Sequence, residues 1–296
     1  MSVSAPVRDG AVVPAPFGER IARAMGVHGP LCVGIDPHPG LLAAWGLPDD
    51  VSGLRDFSLT VIDALGGQVA ALKPQSALFE RHGSAGVAVL EEVLAVARSA
   101  RTLTIVDAKR GDIGSTMAAY AEAYLREGSP LAGDALTVSP YLGFGSLAPA
   151  VDTALANGRG LFVLCLTSNA EGAQLQHAVD GETTVAGRVA LGAAAANAAA
   201  GEQGELGSIG LVVGATIGEG ARSAGVDLAA VNGPLLAPGV GAQGAGGPEL
   251  AAVFGGARSH VLASSSRGVL GAGPDARALL AAARRSADEA QAALKG

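Results

Sequence analysis

Asp107, Lys109 and Asp112 fall within six residues, in the stretch Asp-Ala-Lys-Arg-Gly-Asp-Ile-Gly-Ser-Thr at 107–116. The residues just before it, Thr-Leu-Thr-Ile-Val at 102–106, form an apolar, β-branched run that predicts a buried strand. On an extended backbone residues two apart share a side, so Asp107 and Lys109 are expected to aim at one spot. Two carboxylates and an ammonium at a strand end are costly to desolvate without a purpose. Such a group keeps a lysine charged and poised beside a reacting atom. A fixed ammonium can stabilise negative charge developing on a substrate and then deliver a proton to it.

The elements that must position this group are legible as eight short apolar runs, at 31–35, 69–72, 103–106, 135–138, 161–166, 210–214, 235–237 and 260–263. Helical-period or Ala-rich stretches follow them, for example 54–65, 86–100, 117–126, 184–200, 248–254 and 275–294. Near-continuous apolar strands alternating with helices predict a parallel sheet covered on both faces. Eight units in this length match an α/β (β/α)8 TIM barrel, with a doubly wound open sheet as the structural alternative. The runs end in polar or turn residues: Asp36, Lys73, Asp107 with Lys109, Ser139-Pro140, Thr167-Ser168-Asn169, Thr216, Pro238-Gly239 and Ser264-Ser265-Ser266-Arg267. That is the face on which barrels build active sites. After the seventh run comes a Gly-rich loop, Pro-Gly-Val-Gly-Ala-Gln-Gly at 238–244, and after the eighth comes Arg267. Barrels bind phosphate between these two loops, where glycine lets the backbone approach the anion and arginine clamps it.

Composition narrows the function classes. The chain has 296 residues, 49% hydrophobic, with 3% aromatics and a net charge of −7. An acidic chain without a basic run is a poor nucleic-acid binder, so any anion must be met by charge gathered locally. No run approaches the roughly 18 apolar residues of a membrane helix, and residues 1–16 lack the apolar core of a signal peptide. The expectation is a cytoplasmic protein with no membrane partner, a flexible arm at 1–16 and a single barrel domain at 17–296. Cys32 and Cys165 lie inside apolar runs and read as buried reduced thiols. No zinc-type Cys/His spacing, metal cluster or Schiff-base cofactor motif is present in the sequence.

Taken together, Asp36, Lys73, the Asp-x-Lys-x-x-Asp-Ile-x-x-Thr core at 107–116, the Pro-Gly-Val-Gly-x-Gln-Gly loop and Arg267 resemble the orotidine 5′-phosphate decarboxylase family, over most of residues 30–275. The length, with an arm before the first run and a longer segment between the fifth and sixth, is similar to the larger bacterial branch. The resemblance implies a cofactor-independent homodimer that binds orotidine 5′-monophosphate and uridine 5′-monophosphate. It implies that Lys109 protonates C6 and that Asp107 sits against the substrate carboxylate. Asp36 and Lys73 would hold the ribose hydroxyls and extend the charge network. Asp112 and Thr116 would reach into the neighbouring subunit's site. Thr167 or Ser168 would contact the pyrimidine, and Pro238, Gln243 and Arg267 would form the phosphate end. The Gly/Ala-rich phosphate loop is shorter than in many relatives. Two other readings stay open: a Mg²⁺-dependent sugar-phosphate decarboxylase or aldolase on the same barrel, and a non-catalytic nucleotide-binding barrel.

Overall fold

Eight parallel strands close into a barrel in the computed structural model, which describes residues 14–240 and 245–295. The strands are β1 (Leu31–Ile35), β2 (Ala71–Pro74), β3 (Leu103–Arg110), β4 (Ala135–Val138), β5 (Gly160–Leu166), β6 (Ile209–Val213), β7 (Leu235–Pro238) and β8 (Val261–Ser265). Each pairs with the next in sequence and β8 pairs with β1, so no edge is left. Closure excludes the open doubly wound sheet. Strands buried on both faces explain why the runs lack polar alternation.

The barrel interior is lined by small and medium residues, among them Cys32, Ala71, Ile105, Ala135, Val212, Leu236 and Leu262, with Phe162 as its large filler. A helix that the sequence reading did not anticipate, Phe17–His28, closes the amino-terminal end of the barrel. Its Phe17 and Ile21 are fully buried, and Phe17 packs edge-on against Phe162 with ring centroids 5.9 Å apart. Gly160 makes room for that plug: a Cβ there would lie 2.2 Å from the Phe17 ring. Of the arm expected at 1–16, residues 1–13 lie outside the described residues, and 14–16 are exposed coil. Cys32 and Cys165 are buried free thiols, and burial pushes both up to about 12.

The strand boundaries differ from the sequence reading most where they matter most. The apolar run of β3 stops at Val106, yet the strand continues to Arg110 because its polar end stays paired: Asp107 bridges Gln75 on one side and Arg110 pairs with Val138 on the other. Between β5 and β6 the chain inserts a short helix, Gly172–Gln176, and a small antiparallel hairpin of Val179–Asp180 with Thr183–Thr184. No helix of the described residues is long and apolar enough to cross a membrane.

Candidate active site

β1, β2 and β3 bring Asp36, Lys73, Asp107 and Lys109 into one cavity of about 210 Å3 at the carboxyl ends of the strands. Thr137 of β4, Pro238 and Gly239 at the end of β7, and Ser264 and Ser266 around the end of β8 complete its lining. A larger cavity of about 590 Å3 lies at the opposite end, near Pro30, Leu206, Asn232 and Val261, where strands begin. It contains none of the sequence-predicted residues, and barrel chemistry is built at the other face.

Asp107 is the centre of the charge network. Lys73 Nζ donates to its Oδ2 at 2.8 Å and Lys109 Nζ to its Oδ1 at 2.5 Å. Burial alone raises the pKa of Asp107, but the two ammonium groups outweigh it and bring the carboxyl down to about 2. Burial likewise works against the Lys73 ammonium, and Asp107 and Asp36 more than offset it, so its pKa lies above the ordinary lysine value. The two lysines differ in access: the Lys73 side chain is 9% exposed and that of Lys109 is 45% exposed. Lys73 is therefore held largely within the cavity wall, whereas Lys109 presents the more accessible ammonium. Asp36 Oδ1 and Ser266 Oγ are buried with no hydrogen-bond partner among the described residues. Buried polar atoms are nearly always satisfied, so these two leave unused hydrogen-bonding capacity in the cavity lining.

The reason Asp107 and Lys109 share a spot is not the one expected. The extended alternation fails here, because β3 carries a register irregularity between Val106 and Arg110 and Lys109 has a left-handed φ of 48°. The bulge re-aims Lys109 into the cavity, a common device next to active sites. Arg110 then turns away from it, to Glu80, to the Tyr124 hydroxyl at 3.0 Å, and over the Tyr120 and Tyr124 rings. Gly111 lets the chain leave the strand, since a Cβ there would sit 2.4 Å from the Ser139 carbonyl oxygen.

The other sequence-predicted residues are not all brought to this cavity. Asp112 is half-buried, and among the described residues its carboxylate accepts only from the Ile113 N–H, at 2.8 Å. Thr116 is exposed on the helix Gly114–Leu125. The Thr167 hydroxyl bonds Asn169 Oδ1 at 2.6 Å and accepts from Gln176 Nε2 at 2.7 Å, while Ser168 is exposed. Arg267 is exposed and begins the short helix after β8, on the side of the barrel where Pro238 pairs with Ser264. Gln243 lies outside the described residues, in a loop whose flanking Val240 and Ala245 are buried and bridged to each other. Sequence reasoning missed Thr137 and Gln75. Each contacts Asp107, Thr137 through its hydroxyl at 2.9 Å and Gln75 at the backbone oxygen, 3.3 Å. The available signal for Thr137 was a lone hydroxyl in an otherwise apolar run beside the charged strand.

Comparison with known proteins agrees with this geometry. The family model described as "Orotidine 5′-phosphate decarboxylase / HUMPS family" matches residues 29–282. A protein of Streptomyces coelicolor named orotidine 5′-phosphate decarboxylase is 58% identical over 279 residues, covering 94% of this chain and 98% of that relative. One of Salinispora arenicola with the same name is 60% identical over 281 residues, 95% of this chain and 99% of the relative. The crystal structure of a candidate orotidine 5′-phosphate decarboxylase from Streptomyces avermitilis superposes with a TM-score of 0.91 at 58% identity, covering 98% of this chain and all of that one. With the barrel, the mouth cavity and these relatives in agreement, the chain belongs to the orotidine 5′-phosphate decarboxylase / HUMPS family.

Proposed function

We infer that the chain decarboxylates orotidine 5′-monophosphate to uridine 5′-monophosphate in pyrimidine nucleotide synthesis. The observation that carries this reading is the Lys73–Asp107–Lys109 network at the barrel mouth. The family description spans sugar-phosphate enzymes too, but relatives at 58–60% identity are named orotidine 5′-phosphate decarboxylase. That disfavours the Mg²⁺-dependent sugar-phosphate reading, and an intact Asp107–Lys109 pair disfavours a non-catalytic barrel.

The reaction breaks the bond between C6 and the carboxylate, and the electron pair stays on C6 with no adjacent electron sink. An ammonium held near C6 stabilises that pair and then transfers its proton to it; the lysine regains a proton from solvent. Lys109 is accessible and fixed by Asp107, so it takes this role. Asp107 stays ionised and places negative charge next to the departing carboxylate, a repulsion that falls as CO₂ leaves. Asp36, with its buried and unpartnered Oδ1, and Lys73 hold the ribose hydroxyls. The Thr167 hydroxyl is committed to Asn169 and Gln176, which favours Ser168 as the pyrimidine contact. Pro238, Gln243 and Arg267 form the phosphate end.

Two chains are proposed to complete each site. Asp112 does not reach its own cavity, and beside it Ile113, Tyr141 and Leu142 are 62%, 75% and 53% exposed. Their loops run side by side, tied by the Ser139 N–H to the Arg110 oxygen at 2.8 Å. An exposed apolar patch of this kind suits a two-fold dimer that delivers Asp112 and Thr116 to the neighbouring site. Residues 17–296 are read as one domain of a cytoplasmic, cofactor-independent enzyme.

The test is to follow loss of orotidylate absorbance and appearance of uridylate with the purified protein. Turnover is expected, and Arg267→Ala is expected to raise KM at least about tenfold, because a charge-assisted phosphate contact contributes about 1.5–3 kcal/mol. Turnover of a sugar phosphate in place of orotidylate would contradict the assignment, and an unchanged kcat/KM in Arg267→Ala would move the phosphate elsewhere.

A further inference from the structure

Lys109 adopts a left-handed backbone near the carboxyl end of β3, at a bulge that takes its N–H out of the regular ladder. An N–H taken out of the ladder needs another partner, and the partner here is a side chain. Thr137 of β4 accepts the Lys109 N–H at its Oγ1, 2.9 Å away. The same hydroxyl donates to Asp107 Oδ1, also at 2.9 Å. Asp107 Oδ1 is in turn the atom that receives the Lys109 ammonium. One hydroxyl thus closes a ring through both ends of Lys109, backbone and Nζ, by way of the Asp107 carboxylate. Thr137 is 1% exposed, and its bond to Asp107 is buried.

We propose that Thr137 is the positioning residue that holds the bulged Lys109 backbone and the Asp107 carboxylate in one geometry, so that the Lys109 ammonium points at the reacting carbon. The inference rests on the reading of Lys109 as proton donor. Thr137 uses both its donor and its acceptor capacity here, and a neutral hydroxyl can do both whichever way the lysine proton moves. From outside the barrel Arg110 anchors the same bulge to Glu80 and Tyr124, which leaves the inner side to Thr137. Loss of the hydroxyl removes the partner of the Lys109 N–H and leaves Asp107 Oδ1 held by Lys109 alone, so the bulged backbone and the Lys109–Asp107 pair can shift together about the remaining Lys73 contact. A displacement of the ammonium by about 1 Å is enough for a loss on the order of 100-fold.

The experiment compares Thr137→Val, which keeps the shape and removes the hydroxyl, with Thr137→Ser, which keeps the hydroxyl. The expected result is a fall in kcat of about 10- to 100-fold for Thr137→Val, with KM within threefold of wild type. Thr137→Ser keeps kcat within threefold. A merely structural threonine would give the opposite order, with the isosteric valine tolerated; wild-type kcat in a folded Thr137→Val overturns the proposal. Hydrogen exchange at the Lys109 amide of the wild-type protein is a second measurement that needs no variant. Protection supports the bond to Thr137, and exchange as fast as an exposed amide overturns it. Lys109→Ala, measured alongside, separates the two levels. An active Lys109→Ala would remove the underlying reading, whereas an inactive Lys109→Ala with a fully active Thr137→Val would remove only the role of Thr137.

Discussion

Replacing Lys109 by alanine is expected to lower kcat for orotidylate by at least about 10⁴-fold and to leave a folded protein that still binds uridylate. The size follows from two contributions that one ammonium makes together. Proton delivery accounts for about 10²–10⁴-fold and preorganised charge for a further 10²–10³-fold. The fold survives because Asp107 keeps its 2.8 Å ion pair with Lys73, so no buried charge is stranded. Lys109 itself is nearly half exposed and contributes little to the core. Lys73 is the informative contrast: it is buried in the wall, and its removal takes away the cation that holds Asp107 Oδ2. The check is kcat, the thermal midpoint and a uridylate titration on the same preparation. Turnover within tenfold of wild type would take Lys109 out of the mechanism.

Mixing two inactive variants is expected to restore activity. Lys109→Ala and Asp112→Ala each lose turnover alone if every site needs Lys109 from one chain and Asp112 from the other. After subunit exchange at equal concentrations, about half the dimers are mixed. A mixed dimer contains one intact site and one doubly broken site, so activity should return to about a quarter of wild type. The structural basis is that Asp112 lies past Gly111, outside its own cavity, beside exposed Ile113, Tyr141 and Leu142. If Asp112 serves its own chain, every site stays broken. No recovery, with exchange shown independently by labelled subunits, would remove the shared-site reading.

What could be read from the sequence was the scaffold and the identity of the charged groups. Strand–helix alternation gave the barrel because each of the eight runs is buried on both faces and so carries almost no polar residue to blur it. Asp36, Lys73, Asp107 and Lys109 were recognisable because charge at the end of an apolar strand has few other uses, and all four line the same cavity. The bulge at Lys109 was not legible. Periodicity sees alternation, and a left-handed residue inside a strand follows no local pattern when it is lysine rather than glycine. Thr137 and Gln75 escaped for a related reason: their significance is a contact with Asp107 across neighbouring strands, and no spacing within one strand encodes it. The helix Phe17–His28 was overlooked because its apolar stripe is short; its Phe17 and Ile21 acquire meaning only as a plug under Phe162. The Thr167 hydroxyl looked equivalent to that of Ser168 until Gln176, nine residues on, was seen to occupy it.

If the protein's own fixed charges, centred on Lys109 and Asp107, carry the decarboxylation, no metal ion is needed for turnover. The most direct measurement is orotidylate turnover by protein treated with excess chelator and then freed of it. The expected kcat/KM lies within about twofold of that of the untreated protein, with no response to added Mg²⁺. A loss of turnover that Mg²⁺ restores would contradict it.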